Sequence, residues 1–498
     1  MADTDKKRAY SFWNQASFYQ IFPDRFAIGR GLTAEEKYRD QRYPYPEQRL
    51  ARWTDIPVRN PKGNHQHLFW GGDLPGITER LEEIQALGCD VLYLTPIFQA
   101  VTNHKYDTVD YYRIDPAFGT LDDFRELCKE THERGMRLIL DGVFNHASRQ
   151  CKWLLEGRED FFYPLGKGEY RCWENIPNLV EINLENPAVQ NELFFSENSV
   201  LKYWLREGAD GWRLDCAHDL GPELLQKINR AMKEAFPDSL LIGEVWNYPA
   251  AWQDTGMDGI MNYAFQGVVY DYLLGYLGAS QAGVFLEEMA KETDGAFLSR
   301  CWNMCSSHDV ERLGTTLPKE ELVRQAILLQ YTYPGAPFIY YGEERGMTGG
   351  WDPENRGAVN WEEPDRFPER RALIARLNRL RKEKRALTEG RFASVIVSDE
   401  RILGFKRRTE DVSEQLIVLI NATADPIETR VYLRDGWVMG GTQIFDLDTG
   451  EAYRSYAEQF VTTLAPYQYR ILEPQIRYDC ERYTPYKRVP RKTGPFER

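Results

Sequence analysis

The side chains of this 498-residue chain that could do chemistry sit at the ends of short apolar runs. Asp141 to His146 close one run, Arg213 and Asp215 lie in a second, Glu244 ends a third, and His308 and Asp309 end a fourth. His104, in 103-NHKYD-107, and His218 follow two of these runs. Ionisable groups at such places are costly unless they are paired or used. Each has an ordinary reading by itself: an aspartate after a strand is often a helix N-cap, and Arg213 could be an ion-pair partner of Asp215 or Asp141. The pattern Arg-x-Asp on one strand does put both side chains on one face. Together the residues admit two chemistries. Three carboxylates with imidazoles could hold a metal for hydrolysis, although no HExxH motif is present. Glycoside hydrolysis instead needs one acid near the leaving oxygen and one carboxylate near the anomeric carbon. A neighbouring carboxylate would keep the acid protonated, and Arg213 would keep the nucleophile ionised. Spacing alone leaves both open.

The elements that must carry these groups alternate strand with helix. Strand-like runs fall at 18–23, 90–98, 136–144, 209–217, 239–246, 301–309 and 337–344, with a weaker one at 259–265. Amphipathic helical runs at 77–88, 122–135, 191–208 and 223–236 separate them. Eight such strands suit an α/β architecture closed as a (β/α)8 TIM barrel, whose functional groups gather at the C-terminal strand ends. An open doubly wound sheet explains the alternation equally well but lacks a glycine-rich phosphate loop after any strand. The connection after strand three is too long for a simple loop and reads as a small inserted domain over 147–186. Beyond residue 392 the runs shorten between turn-forming Asn, Asp and Gly, which predicts a C-terminal antiparallel β-sandwich. The expected division is therefore barrel over 10–146 and 187–392, insert over 147–186, sandwich over 393–478 and a basic tail over 479–498.

A net charge of −14 argues against nucleic acid and anionic membrane as partners, since a polyanion requires a basic footprint. No signal-peptide-like or membrane-spanning window occurs, and the eight cysteines form no CxxC pair, so reduced thiols in a cytoplasmic protein are expected.

The motifs 141-DGVFNH-146, 211-GWRLDCAH-218, 243-GEVW-246 and 306-SSHD-309 resemble, in order, the four motifs of the α-amylase family of glycoside hydrolases. Further segments, among them 18-FYQIFPDRF-26, 104-HKYDTVDYYRIDPAFGT-120 and 352-DPENRGAVNW-361, are similar to its neopullulanase, cyclomaltodextrinase and maltogenic amylase branch. The resemblance implies a retaining enzyme acting on α-1,4-glucosidic bonds of maltodextrins or cyclomaltodextrins, with some α-1,6 activity. An oligo-α-glucosidase or α-glucanotransferase with the same covalent intermediate is the alternative. It implies Asp215 as nucleophile, Glu244 as acid/base and Asp309 as transition-state stabiliser. Arg213 would orient the nucleophile, while His104, Tyr106, His146, His218, Trp246, His308 and Arg356 would bind substrate.

Three departures qualify it. Strand one begins almost at once, so a dimer exchanging an N-terminal β-domain is not expected. The segment 176-IPNLVEIN-183 replaces an MPKLN-like stretch of the insert. The Asn- and Asp-rich calcium loop after 24-DRF-26 is replaced by 27-AIGRGLTAEE-36. No cofactor is required on this reading. Calcium is left undecided, with Asn145 the one matching ligand, and no metal ligand set is assigned.

Overall fold

The computed structural model describes residues 12–60, 62–434 and 436–476. Eight parallel strands surround a central core: β1 (Phe18–Ile21), β2 (Val91–Leu94), β3 (Arg137–Gly142), β4 (Gly211–Leu214), β5 (Leu240–Gly243), β6 (Gly259–Ile260), β7 (Trp302–Asn303) and β8 (Ala336–Tyr340). Their pairing runs β6-β5-β4-β3-β2-β1-β8-β7, and a parallel bridge between Met261 and Trp302 draws the two ends together into a near-closed barrel. These strands are buried on both faces, which explains their apolar composition. Alternation sends Phe18, Val91, Ile139, Leu240 and Ile242 into one cluster with Trp302 and Phe338, while Tyr19, Leu92, Leu138 and Leu241 join a separate, larger cluster.

Several elements are shorter than the sequence suggests. The run 301–309 holds only the two-residue β7, and 259–265 yields β6 followed by helix Tyr263–Leu273. That helix starts on Asn262, whose side chain accepts a hydrogen bond from the Phe265 N–H, so the cap stops the strand. The helical run 191–208 is interrupted: a π-turn covers Asn191–Phe195, and a regular helix resumes over Val200–Arg206.

Between β3 and β4 a strand His146–Ser148 pairs antiparallel with Leu179–Glu181, enclosing the hairpin Pro164–Gly166/Glu169–Tyr170. After the long helix Pro368–Glu383 come two antiparallel sheets. One has six strands, with Ile402–Arg408, Gln415–Asn421 and Tyr469–Pro474 at its centre; the other joins Ile396–Val397, Ile427–Tyr432 and Gln459–Leu464. Their inner faces share an apolar core that includes Ile417, Leu419, Val431, Trp437 and Leu472. The expected basic tail lies outside the described residues. Among the described residues no helix is long and apolar enough to cross a membrane.

Candidate active site

Parallel register builds the centre of the site. Arg213 of β4 is the direct partner of Asp141 on β3, so both side chains leave the sheet on one face. The guanidinium of Arg213 is fully buried and touches three further carboxylates. Its Nη1 lies 2.8 Å from Asp141 Oδ1 and 3.0 Å from Asp215 Oδ1; its Nη2 lies 2.9 Å from Glu244 Oε2 and 4.0 Å from Asp309 Oδ2. Asp215 follows β4, Glu244 follows β5, and Asp309 lies in the loop after β7. One cation thus faces four acids.

Two tyrosines complete the floor. Tyr93 and Tyr106 both donate to Asp141 Oδ2, at 2.6 and 2.9 Å. Tyr106 stacks on His308 with planes 3° apart and Oη 2.5 Å from Nε2. With the Gln20 amide donating to His308 Nδ1 at 2.6 Å, the Nε2–H donates to Tyr106, which donates onward to Asp141. Burial, then the charge of Arg356, pushes the His308 imidazole well below its ordinary range, consistent with this neutral tautomer.

Above this floor lies a cleft of about 920 Å³. His104, Tyr106, His146, Asp215, His218, Glu244, Trp246, Asp309 and Arg356 all line it, while Arg213 and His308 support it from beneath. Asp215 Oδ2, Asp309 Oδ2, both ring nitrogens of His146 and the Asn145 amide nitrogen are buried without a hydrogen-bond partner in the protein. Such a set of converging donors and acceptors fits a ligand rich in hydroxyl groups. Trp246 is half exposed; its ring stacks on Tyr263 at 3.6 Å and its N–H donates to Glu244 Oε1 at 3.0 Å. Arg356 reaches Asp352 at 2.7 Å and Asp309 at 3.7 Å, and its Nε donates to the His308 carbonyl. His218 is the most peripheral, with half its side chain exposed and Nε2 3.2 Å from Asp219.

Arg213 contacts Asp215, and Glu244 as well, so the two carboxyls share one guanidinium. Burial pushes Glu244 up, but Arg213 and the N–H groups of Trp246 and Cys216 outweigh it and hold the carboxyl below its ordinary value. Asp215 is raised, first by burial and then by Glu244 against the pull of Arg213. Burial and the Glu244 charge push Asp309 up to about 7. Asp215 and Glu244 thus lean on the same guanidinium and form one coupled acid pair. Burial also lowers His146 to about 4, so this imidazole is neutral over most of the pH range.

Sequence reasoning missed several contributors. Gln20 and Tyr93 are polar groups in strands otherwise apolar, a signal present in FYQI and VLYL. Trp173, from the segment between β3 and β4, stacks on His146 at 5.0 Å and donates to Asp219, so that segment forms one wall together with Arg171, Glu174 and Glu181. Gln66 and Asp352 line the cleft from other loops. The Gln66 stretch is pinned by Asn103, whose side chain donates to the carbonyls of His65 and Leu68; nothing in its sequence marks it.

The family model described as alpha amylase, catalytic domain, matches residues 20–372. The chain belongs to the α-amylase family of glycoside hydrolases. Among this family's members, neopullulanase 2 of Thermoactinomyces vulgaris is 34% identical over 92% of this chain and 77% of that enzyme. A Bacillus cyclomaltodextrinase is 33% identical over 82% of this chain and 72% of its own length. Among solved structures, the cyclic α-maltosyl-(1→6)-maltose hydrolase from Arthrobacter globiformis superposes with a TM-score of 0.78 at 28% identity, covering 92% of this chain and 98% of that one. The overall fold of this α-amylase family member therefore agrees with that structure over 92% of its chain.

One group of potential metal ligands occurs among the described residues: His146, Asp215 and Cys216. Imidazole and thiol donors do not suit calcium, which takes oxygen ligands.

Proposed function

We propose that the enzyme hydrolyses α-1,4-glucosidic bonds in maltooligosaccharides and cyclomaltodextrins, with α-1,6 bonds as further substrates, by a retaining double displacement. The observation that carries this is the pairing of Asp215 and Glu244 across one buried guanidinium, with Asp215 Oδ2 unpartnered at the cleft. Two carboxyls gathered on one guanidinium supply the nucleophile and the acid/base that a retaining mechanism uses. Asp215 Oδ2 bonds to the anomeric carbon as the glycosidic C–O bond breaks, and Glu244 gives its proton to the departing oxygen. In the second step Glu244 takes a proton from water, whose oxygen replaces Asp215 at that carbon. Asp309 and Arg356 hold hydroxyls of the distorted ring, and His104, Tyr106 and His146 frame it.

The reactive state of this coupled pair has Asp215 ionised beside Arg213 and the shared proton on Glu244. Relatives whose names specify neopullulanase, cyclomaltodextrinase and hydrolysis of a cyclic maltosyl-maltose support the substrate class. A 5-fluoro-α-glucosyl fluoride should label the peptide bearing Asp215, as read by peptide mass spectrometry. Digestion of β-cyclodextrin should release the α-anomer first, followed by proton NMR. A label on Glu244, or a β-anomer first, would overturn the assignment.

A further inference from the structure

Lys37 directly follows 27-AIGRGLTAEE-36, the segment standing where the resemblance places a calcium loop. Its side chain is 3% exposed, although lysine is among the residues least often buried. The ammonium donates to the Gly71 carbonyl at 2.7 Å and to Asp73 Oδ2 at 2.5 Å. The other oxygen of Asp73 accepts from the Gly29 and Gly76 N–H groups at 2.9 and 2.7 Å. A carbonyl and a carboxylate from one loop thus converge on a positive charge supplied by another, an oxygen environment of the kind that a hard cation selects. The position of the charge is fixed from the lysine side. Helix Ala34–Arg39 is closed by a reciprocal cap between Thr33 and Glu36, and Lys37 lies in its last turn. Close packing reinforces the join: a Cβ on Gly76 would meet the Ala27 carbonyl, and one on Gly71 would meet the Ala34 Cβ.

We propose that the Lys37 ammonium is a built-in cation that ties segment 27–37 to segment 71–76, so that this junction takes no calcium. A calcium ion there would have to displace a buried ammonium that already occupies the same carboxylate. The like charges would repel at contact distance, and Lys37 would lose both its acceptors. The inference does not depend on the proposed substrate.

The test uses the full-length enzyme and three readouts. Plasma mass spectrometry after gel filtration should find well under one calcium per chain. Thermal unfolding in excess chelator and in millimolar calcium should give the same midpoint to within about 1 °C. Lys37→Met should lower the midpoint by roughly 5 °C or more, since it strands the Asp73 charge, and Lys37→Met/Asp73→Asn should recover part of that loss. A wild-type midpoint that falls in chelator and returns with calcium would overturn the proposal, whether or not the variants fold. One retained calcium per chain whose loss lowers the midpoint, or a Lys37→Met midpoint equal to wild type, would do the same.

Discussion

Arg213 and Arg407 are both fully buried arginines, one at the barrel mouth and one at the seam between the barrel and the C-terminal sheets. Arg407 is satisfied by main chain: its nitrogens donate to the carbonyls of Thr332, Leu387 and Gly390 at 2.8–3.0 Å. Arg381 beside it does likewise, reaching Gln15, Leu387 and Gly335. Every carbonyl there is a neutral acceptor fixed by the fold. Arg213 instead faces four carboxylates, two of which keep an unpartnered oxygen at the cleft. The seam is a saturated structure; the mouth is an unsaturated one, holding more acid than Arg213 alone can neutralise. Two buried arginines of equal exposure therefore differ in what surrounds them, and that difference separates a structural joint from a reactive site.

The sharpest way to break this comparison is to remove function from the mouth without loss of fold. Asp215→Asn should lower kcat on maltotriose by on the order of 10⁴-fold or more, as nucleophile loss does elsewhere, and Glu244→Gln by about 10²–10⁴-fold. Both should keep a wild-type unfolding midpoint or a higher one. A midpoint that drops with kcat would make the acids structural.

Arg407→Met should do the reverse. Buried carbonyls short of a donor cost about 1–3 kcal/mol each, so urea unfolding should show a loss of about 3 kcal/mol. The variant's kcat, measured where it remains folded, should match wild type.

A smaller effect sharpens the same contrast. The Asp309 carboxyl is raised from its ordinary 3.8 to about 7. Between those values the folded chain holds a proton that the unfolded chain has released. Stability from this group therefore falls as pH rises through that window and is level above it. Asp309→Asn removes the penalty. Its midpoint should exceed wild type by roughly 2–5 °C at pH 8 and match it near pH 4, in a pH series of thermal scans. An equal gain at both pH values would mean that the Asp309 charge is not strained.

What the residue order determined by itself is local and periodic. Alternation along FYQI, VLYL, RLILDG and GWRL decides which side chains face the barrel axis, and the acids at the strand ends follow one another in a recognisable order. The strand period placed acids at one rim but left a metal site open; Asp215, Glu244 and Asp309 were legible through the four motifs that resemble the α-amylase family. Tertiary structure decided who shares whose charge. Arg213 meets Glu244 as well as Asp215 because neighbouring strands stand in register, a fact absent from either strand alone. The Gln20–His308 contact spans 288 residues and the Asn103 hold on the Gln66 stretch spans 35–38, so both exist only once distant loops meet. Trp173 likewise reaches His146 and Asp219 through the closing of a segment whose own sequence has no strong period. Residue type and period are written along the chain, whereas pairing is a property of distance in space.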